Sequence, residues 1–506
     1  MKIFENEPLS YWLDSTEKTN YPSLDKDINT DVVIIGGGIA GITSAYILKQ
    51  RGLNVALLEV DNILEGTTAR TTAKVTSQHN LMYNKLIKEM GEDYARKYLQ
   101  ANEDAIEFIK QIIKEKNIDC DFSELPAYVY TTDDKYIKDI KDEVKAVQKL
   151  GKDAIFVETL DLPFNVKGAM KFKNQAQFHP RKYLLKLAKE INSNGSYIYE
   201  NTKVVDIKDG NTVKVITSNE NIISAKKVII ATHFPIENFR GLYFSRMYTE
   251  RSYILGVLAK DSIPNGMYIS VEKPIRSLRY QNYNDKKMLL IGGDGHKTGQ
   301  GENTKNHYNN LKKFAEENFQ VESIPYRWST QDCMPMDDIP FIGQITSNSE
   351  NIFLSTGFKK WGMTNATAGA MILADIITNG KSPYSDVFSP SRFNIKGSIS
   401  NFIKENLNVG YEFIKGKLKT GNIDIEVATG QGKVVDLNGK RVGFYKDTEG
   451  KTYIVDTTCT HLGCELSWND AEKSWDCPCH GSRFSYDGTI IEGPALHELS
   501  VKIIED

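Results

Sequence analysis

The run DVVIIGGGIAG, residues 31 to 41, dictates how the fold begins. An apolar strand ends in Gly36-x-Gly38-x-x-Gly41, Ala45 and Leu48 continue as one face of a helix, and NVALLE supplies a second strand that closes at Glu59. Strand, glycine turn, helix and strand make a βαβ unit, so the sheet built on it is parallel. The three glycines have separate mechanical tasks: a tight turn, close approach of the backbone to a pyrophosphate, and contact between helix and strand. N–H groups freed at the helix start face the phosphates. Glu59 stands where a carboxylate accepts hydrogen bonds from ribose hydroxyls and disfavours a 2′-phosphate. The unit is therefore expected to bind a dinucleotide.

At 506 residues the chain is long enough for about three domains. Its net charge of −3, without long runs of one sign, leaves no electrostatic footprint for nucleic acid. The apolar run from Val32 stops at Gly36, too short for a membrane span, and MKIFENEPLS has no basic stretch leading into an apolar one. No integral membrane segment is expected, and a cytoplasmic location is the default.

Farther along, Leu86, Met90, Tyr94 and Tyr98, then Ala105, Phe108, Ile109 and Ile112, mark helical apolar faces. Strand-like runs (AYVYT from 127, KVIIAT from 227, KMLLIGG from 287) mix with the amphipathic RKYLLKLAKEI from 181. NIFLSTG and a helix stopped by Gly380 and Pro383 follow. The turn-rich YSDVFSPSRFN, residues 384 to 394, marks a boundary. Beyond it Ile395, Ile399, Phe402, Ile403, Leu407, Tyr411, Ile414 and Leu418 recur at helical spacing, as a connecting helix that Gly397, Gly410 and Gly416 weaken. Short strands and turns after 423 predict a small all-β domain.

With GTTARTTAKVTSQH after the first unit, NTKVVDI from 201, DDIPFIG, and NIFLSTGFKKWGMTNATAG, the chain resembles the FAD-dependent D-amino acid oxidase-like family, that of glycine and sarcosine oxidases, over residues 28 to 385. The resemblance implies an α/β FAD-binding Rossmann-like domain with an inserted α+β substrate domain, and FAD held noncovalently. It puts Gly36, Gly38, Gly41 and Glu59 on the ADP half, Thr71, Thr72 and Lys74 along the pyrophosphate and ring, and Val204 at the adenine. Gly357, Gly362, Met363 and Thr364 would sit by the flavin, where a helix amino terminus stabilises negative charge on the reduced ring. Some relatives attach the flavin through a cysteine, but the spacing of Cys333 to PFIG does not match that pattern. Within residues 1–385, flavin-binding segments are expected at 28–80, 165–240 and 328–385 and a substrate domain at 81–164 and 241–327, then a helical linker at 386–419 and the final domain at 420–506.

Near the carboxyl end stand CTHLGC, residues 459 to 464, and CPCHGS, residues 477 to 482. Cys459-x-His461 and Cys477-x-x-His480 offer two thiolates and two imidazoles, a set that zinc also takes tetrahedrally. The extra Cys464 and Cys479, the Gly-Ser after His480 and the later GPA at 493 to 495 make the region resemble the Rieske family, an all-β domain with a 2Fe-2S cluster. That resemblance implies Cys459 and Cys477 on one iron, His461 and His480 on the other, a disulfide between Cys464 and Cys479, and a hydrogen bond from Ser482 to a cluster sulfur. Phe484 occupies the place where high-potential members carry a tyrosine.

A flavin takes two electrons as a hydride equivalent, whereas an iron-sulfur cluster passes one at a time. The fusion is read as a dehydrogenase that oxidises a C–N bond of a small amine or amino acid. Electrons then move singly from FAD to the cluster and on to an external acceptor, a redox protein or quinone. Arg279, His296, His79 and Lys359 are candidates for the substrate side, where cations bind a carboxylate and fixed groups position the C–H bond. A reductase running in the opposite direction and a redox-sensing interaction protein are the alternatives. A Rieske oxygenase needs a second, mononuclear iron, and His79, His179, His233, His296, His307 and His497 show no paired ligand spacing.

Overall fold

The computed structural model describes residues 7–262, 264–301, 303–392, 395–418, 427–437 and 440–504. The end of the expected linker at 419, the start of the final domain at 420–426, and the side chains of Ile395, Ile399 and Leu418 lie outside the described residues.

The glycine-turn strand Ile28–Ile35 is central in an eight-stranded sheet, between Ile222–Ile230 and Val55–Leu58. Tyr197–Tyr199 extends the sheet on one side and Ile352–Thr356 on the other, all in parallel, and Phe341–Gln344 pairs antiparallel at the edge. Helices cover this sheet, so Val32 to Ile35 read as an unbroken apolar run. Helix Ile39–Gln50 is buried almost all round because helix Gly362–Asn379 packs on its outer side. Gly380, at φ 78°, ends the latter helix in the left-handed region.

A nine-stranded sheet stands beside it, in the order Val321–Pro335, Met247–Ala259, Lys286–Lys297, Arg276–Tyr283, Met267–Ser270, Ser123–Thr131, Gly168–Gln177 and Lys74–Val75, with Ala154–Val157 pairing to Gly168–Gln177. Residues 74–75, 168–177 and 328–335 of the expected flavin-binding segments pair inside the second sheet, where strand Gly168–Gln177 bridges Lys74–Val75 and Ser123–Thr131. The helical stretch after residue 82 is two helices, Tyr83–Met90 and Glu92–Glu115, broken at Gly91 with φ 94°.

Helix Ile395–Leu418 forms despite its glycines. Its inner face is held by ion pairing of Glu405 with Lys297, by Asn406 Nδ2 donating to the Ser245 carbonyl at 3.0 Å, and by Gly416, where a side chain would press on Glu465. Two small antiparallel sheets follow, Gly432–Leu437, Lys440–Lys446, Thr452–Asp456 and Val501–Ile504, then Ser467–Asn469, Ser474–Asp476, Arg483–Ser485 and Ile490–Glu492. Among the described residues no helix is long and apolar enough to cross a membrane.

Candidate active site

A cavity of about 1480 Å³ starts at the glycine turn and runs between the two large sheets. At its first end Gly36 has φ +110° and lies so close to the Ala231 carbonyl that a Cβ would collide with it. A Cβ on Gly41 would overlap the carbonyl oxygen of Gly36, so helix and turn touch backbone to backbone. Gly38 is the residue on which helix Ile39–Gln50 begins, and it lines the cavity. Glu59 also lines it. One carboxylate oxygen accepts from the Gly37 N–H at 2.6 Å, and burial pushes the carboxyl pKa up.

Thr71, Thr72, Lys74, Val204, Gly362 and Met363 are on the cavity wall. Gly41, Gly357 and Thr364 are behind it: Gly357 packs on Pro335, and the Thr364 hydroxyl donates to the Thr76 carbonyl at 3.0 Å. Nothing lies within 4 Å of where a Gly362 side chain would be, which leaves the amino end of helix Gly362–Asn379 open. Lys74 Nζ donates to the Tyr268 carbonyl at 2.6 Å and to Ser277 Oγ at 2.7 Å. Burial, helped by the Arg279 charge, lowers this ammonium to about 7.

Two of the four substrate-side candidates reach the cavity. His79 stacks on Trp361 with ring centroids 4.9 Å apart, and burial pushes it down to about 3. The ring is therefore neutral at ordinary pH. Its Nε2 is 2.8 Å from the Thr76 carbonyl and so carries the proton, which leaves Nδ1 to accept from the Tyr98 hydroxyl at 2.7 Å. Lys359 also lines the wall, with Nζ 2.7 Å from Asp338 Oδ1.

Arg279 and His296 do not reach it. The Arg279 guanidinium is buried beneath the Trp12 ring, with Nη2 donating to Gln281 Oε1 at 2.7 Å, because helix Tyr11–Asp14 lays Trp12 over that part of the strand. In strand Lys286–Lys297 it is Gly292, Gly293 and Gly295 that line the cavity, and alternation after Gly295 sends His296 to the other side. There His296 stacks on His307 at 4.4 Å and meets the Tyr253 hydroxyl at 3.0 Å.

Glu250, Ser252, Asp332 and Lys360, which stand in no spacing that points to a site, also line the cavity. Lys360 Nζ donates to Ser252 Oγ at 2.7 Å and lies 3.4 Å from Asp332 and 3.5 Å from Glu250. Burial opposes the Lys360 charge, but the two carboxylates outweigh it and raise its pKa, while burial also raises that of Asp332. Lys360 stands beside Lys359 in GFKKWG, and spacing alone does not say which of the pair meets Glu250 and Asp332. His233 Nε2 and Thr330 Oγ1 on the same wall are buried without a hydrogen-bond partner among the described residues, and so fit a polar occupant. Cys333 is packed in the apolar core and is not on the wall.

In the small domain Cys459, Cys477, His461 and His480 converge. Hydrogen bonds from Cys477 and Ser482 help lower the buried Cys459 thiol to about 7. The two imidazoles are 5.1 Å apart, and burial keeps both neutral, His461 near 4 and His480 near 3. His461 Nε2 is 3.2 Å from Asn238 Oδ1, whereas its Nδ1 is buried without a partner. Two thiols and two neutral imidazoles with an unused nitrogen fit the 2Fe-2S donor set. Cys464 and Cys479 are joined in a disulfide, Cα atoms 6.5 Å apart, and Ser482 Oγ accepts from the Ala495 N–H at 3.0 Å.

The cluster loops dock on the second sheet. Gln331 Nε2 donates to the Gly481 carbonyl at 2.9 Å and Gln300 Nε2 to that of Pro478 at 3.2 Å. Buried Arg251 stands 3.6 Å from Glu472 and 3.7 Å from Glu492.

A dinucleotide cradle facing a second sheet, with a thiol and imidazole centre docked alongside, defines a flavin-dependent oxidoreductase with an iron-sulfur domain. Residues 31–376 match the FAD dependent oxidoreductase family, DAO, and residues 423–503 the Rieske [2Fe-2S] domain. The chain belongs to the DAO family of FAD-dependent oxidoreductases; its larger part binds FAD and its Rieske domain binds a 2Fe-2S cluster. It is similar to YhfW of Bacillus subtilis (strain 168), named as a Rieske 2Fe-2S iron-sulfur protein, with 45% identity over 493 residues and 97% of each chain covered. Gamma-glutamylputrescine oxidoreductase of Escherichia coli (strain K12) is 23% identical over 409 residues, 75% of this chain and 91% of that protein. The fold is that of glycine oxidase from Geobacillus kaustophilus, with TM-score 0.61 at 18% identity over 72% of this chain and 99% of that one.

Proposed function

We propose that the chain is a dehydrogenase that oxidises a C–N bond of an amine or amino acid and sends the electrons singly through its Rieske domain to an external redox protein or quinone. FAD, when bound, accepts a hydride equivalent, and the 2Fe-2S cluster, when bound, carries one electron.

The observation that carries this reading is the strand pair Met247–Ala259 and Val321–Pro335. Glu250 pairs with Asp332 and Ser252 with Thr330, and all four line the cavity. The intervening pair, Arg251 and Gln331, turns the other way and meets the Rieske domain, as does Thr249. Successive side chains on a strand point to opposite faces, so one layer of sheet divides the flavin cavity from the cluster loops. An electron crossing that layer needs no domain movement.

The substrate class is supported by the wall itself. Glu250 and Asp332 offer negative charge to an amine, Lys359 and Lys360 offer positive charge to a carboxylate, and His79, neutral and held at both nitrogens, contributes shape rather than a titrating base. The likeness to gamma-glutamylputrescine oxidoreductase and to the fold of glycine oxidase agrees with that class.

Anaerobic mixing of the holoprotein with a panel of amines and amino acids tests it. The expected result is bleaching of the flavin absorbance by at least one member, followed by the electron paramagnetic resonance signal of the reduced cluster. A flavin that no member bleaches, but that is reduced by electrons delivered to the cluster, would establish the reverse direction.

A further inference from the structure

We infer that the Rieske domain is itself part of the FAD site: its segment 489–498 forms one wall of the flavin cavity, so that FAD is retained only while that domain is docked. Thr489 to Leu496 and Glu498 line the cavity together with Glu59, Asn201, Thr202 and Val204. The two walls are tied where they meet. Lys203, between Thr202 and Val204, donates from Nζ to the Leu496 carbonyl at 2.9 Å. Pro494 and Ala495 are buried, and the Ala495 N–H donates to Ser482 Oγ at 3.0 Å, which links this wall to the loop carrying His480.

Other contacts that hold the wall in place lie away from the cavity. Glu472 does not line it, yet accepts from the Tyr308 hydroxyl at 2.8 Å and faces Arg251. Lys305 pairs with Asp470, and the Ala471 N–H donates to Thr304 Oγ1 at 3.0 Å. A dinucleotide on the glycine turn is thus covered by a second domain whose grip is exerted in part elsewhere. Flavin exchange requires that grip to open.

Glu472→Lys in the full-length holoprotein replaces an attraction to Arg251 by repulsion without touching the cavity. Flavin fluorescence after dilution should show FAD leaving at least tenfold faster than from the parent, with the cluster's paramagnetic signal retained, and Glu472→Gln should lie between. Unchanged FAD retention in a variant whose segment 489–498 exchanges amide hydrogens faster would overturn the inference. Where the variant stays docked or does not fold, the parent protein decides: removal of FAD should raise exchange in 489–498 and its return restore protection, and exchange indifferent to FAD refutes the shared wall. These readouts need no substrate, so they fail or succeed independently of the proposed reaction.

Discussion

Gly481, the residue after His480, sits with its Cα directly against the side chain of Thr249 on the second sheet. Its φ of +79° lies in the left-handed region, and any side chain would overlap the threonine hydroxyl. The loop bearing His480 thereby comes as near to the flavoprotein sheet as backbone allows. Gly481→Ala should push the loop off, slowing electron transfer between flavin and cluster. Adding Thr249→Gly should restore much of the rate, leaving a backbone strain of roughly 1–2 kcal/mol. Transient absorbance of the single and double variants checks this; equal rates in the single variant and the parent would refute it.

Gly41 touches the Gly36 carbonyl oxygen so closely that even a methyl group has nowhere to go. Backbone cannot move aside as a flexible side chain does. Gly41→Ala is therefore expected to cost roughly 1–3 kcal/mol despite the better helix propensity of alanine, and to reduce FAD content. Flavin stoichiometry and the thermal midpoint of the purified variant measure both effects.

These two glycines also mark what was legible beforehand. The glycine turn, Glu59 and the cysteine and histidine loops announce their chemistry through local spacing, because each site is made by a few consecutive residues. Arg279 and His296 could not be placed that way. Whether a strand residue faces a cavity or a second layer depends on sheet partners far along the chain, and on Trp12 lying over Arg279. The wall formed by 489–498 was invisible for the same reason: it is held by Arg251 facing Glu472 and Glu492 and by Lys203 meeting Leu496 across domains, contacts that spacing within a motif does not reveal.

His79 supplies a pH dependence. Its pKa is depressed by burial from about 6.5 to about 3, so the stability it contributes is complete above 6.5 and is lost as pH falls toward 3. At pH 5 the loss through this residue is about 2 kcal/mol relative to pH 7.5. Urea midpoints of the parent and His79→Gln should converge on acidification, because only the parent has this proton to take up. A constant gap between them from pH 7.5 to 5 would contradict the assignment.

Phe484 is fully buried in strand Arg483–Ser485, in the core of the cluster domain. A hydrogen bond donated to a cluster sulfur or ligand thiolate stabilises the reduced form, so Phe484→Tyr should raise the midpoint potential by tens of millivolts, about 43 mV for each kcal/mol in a one-electron couple. Voltammetry of the full-length holoprotein reads the shift. No change, or a downward one, would mean that the hydroxyl points away from the cluster.

The central claim is that the flavin and cluster exchange electrons within one chain, across the layer made by Glu250, Asp332, Arg251 and Gln331. Flash photoreduction of the FAD in the holoprotein, followed by the absorbance of the cluster, tests it without a known substrate. Cluster reduction is expected to follow flavin reduction at a rate that does not change with protein concentration, and to vanish in Cys477→Ser. A rate proportional to protein concentration, or a cluster that stays oxidised beside a reduced flavin, would contradict the account.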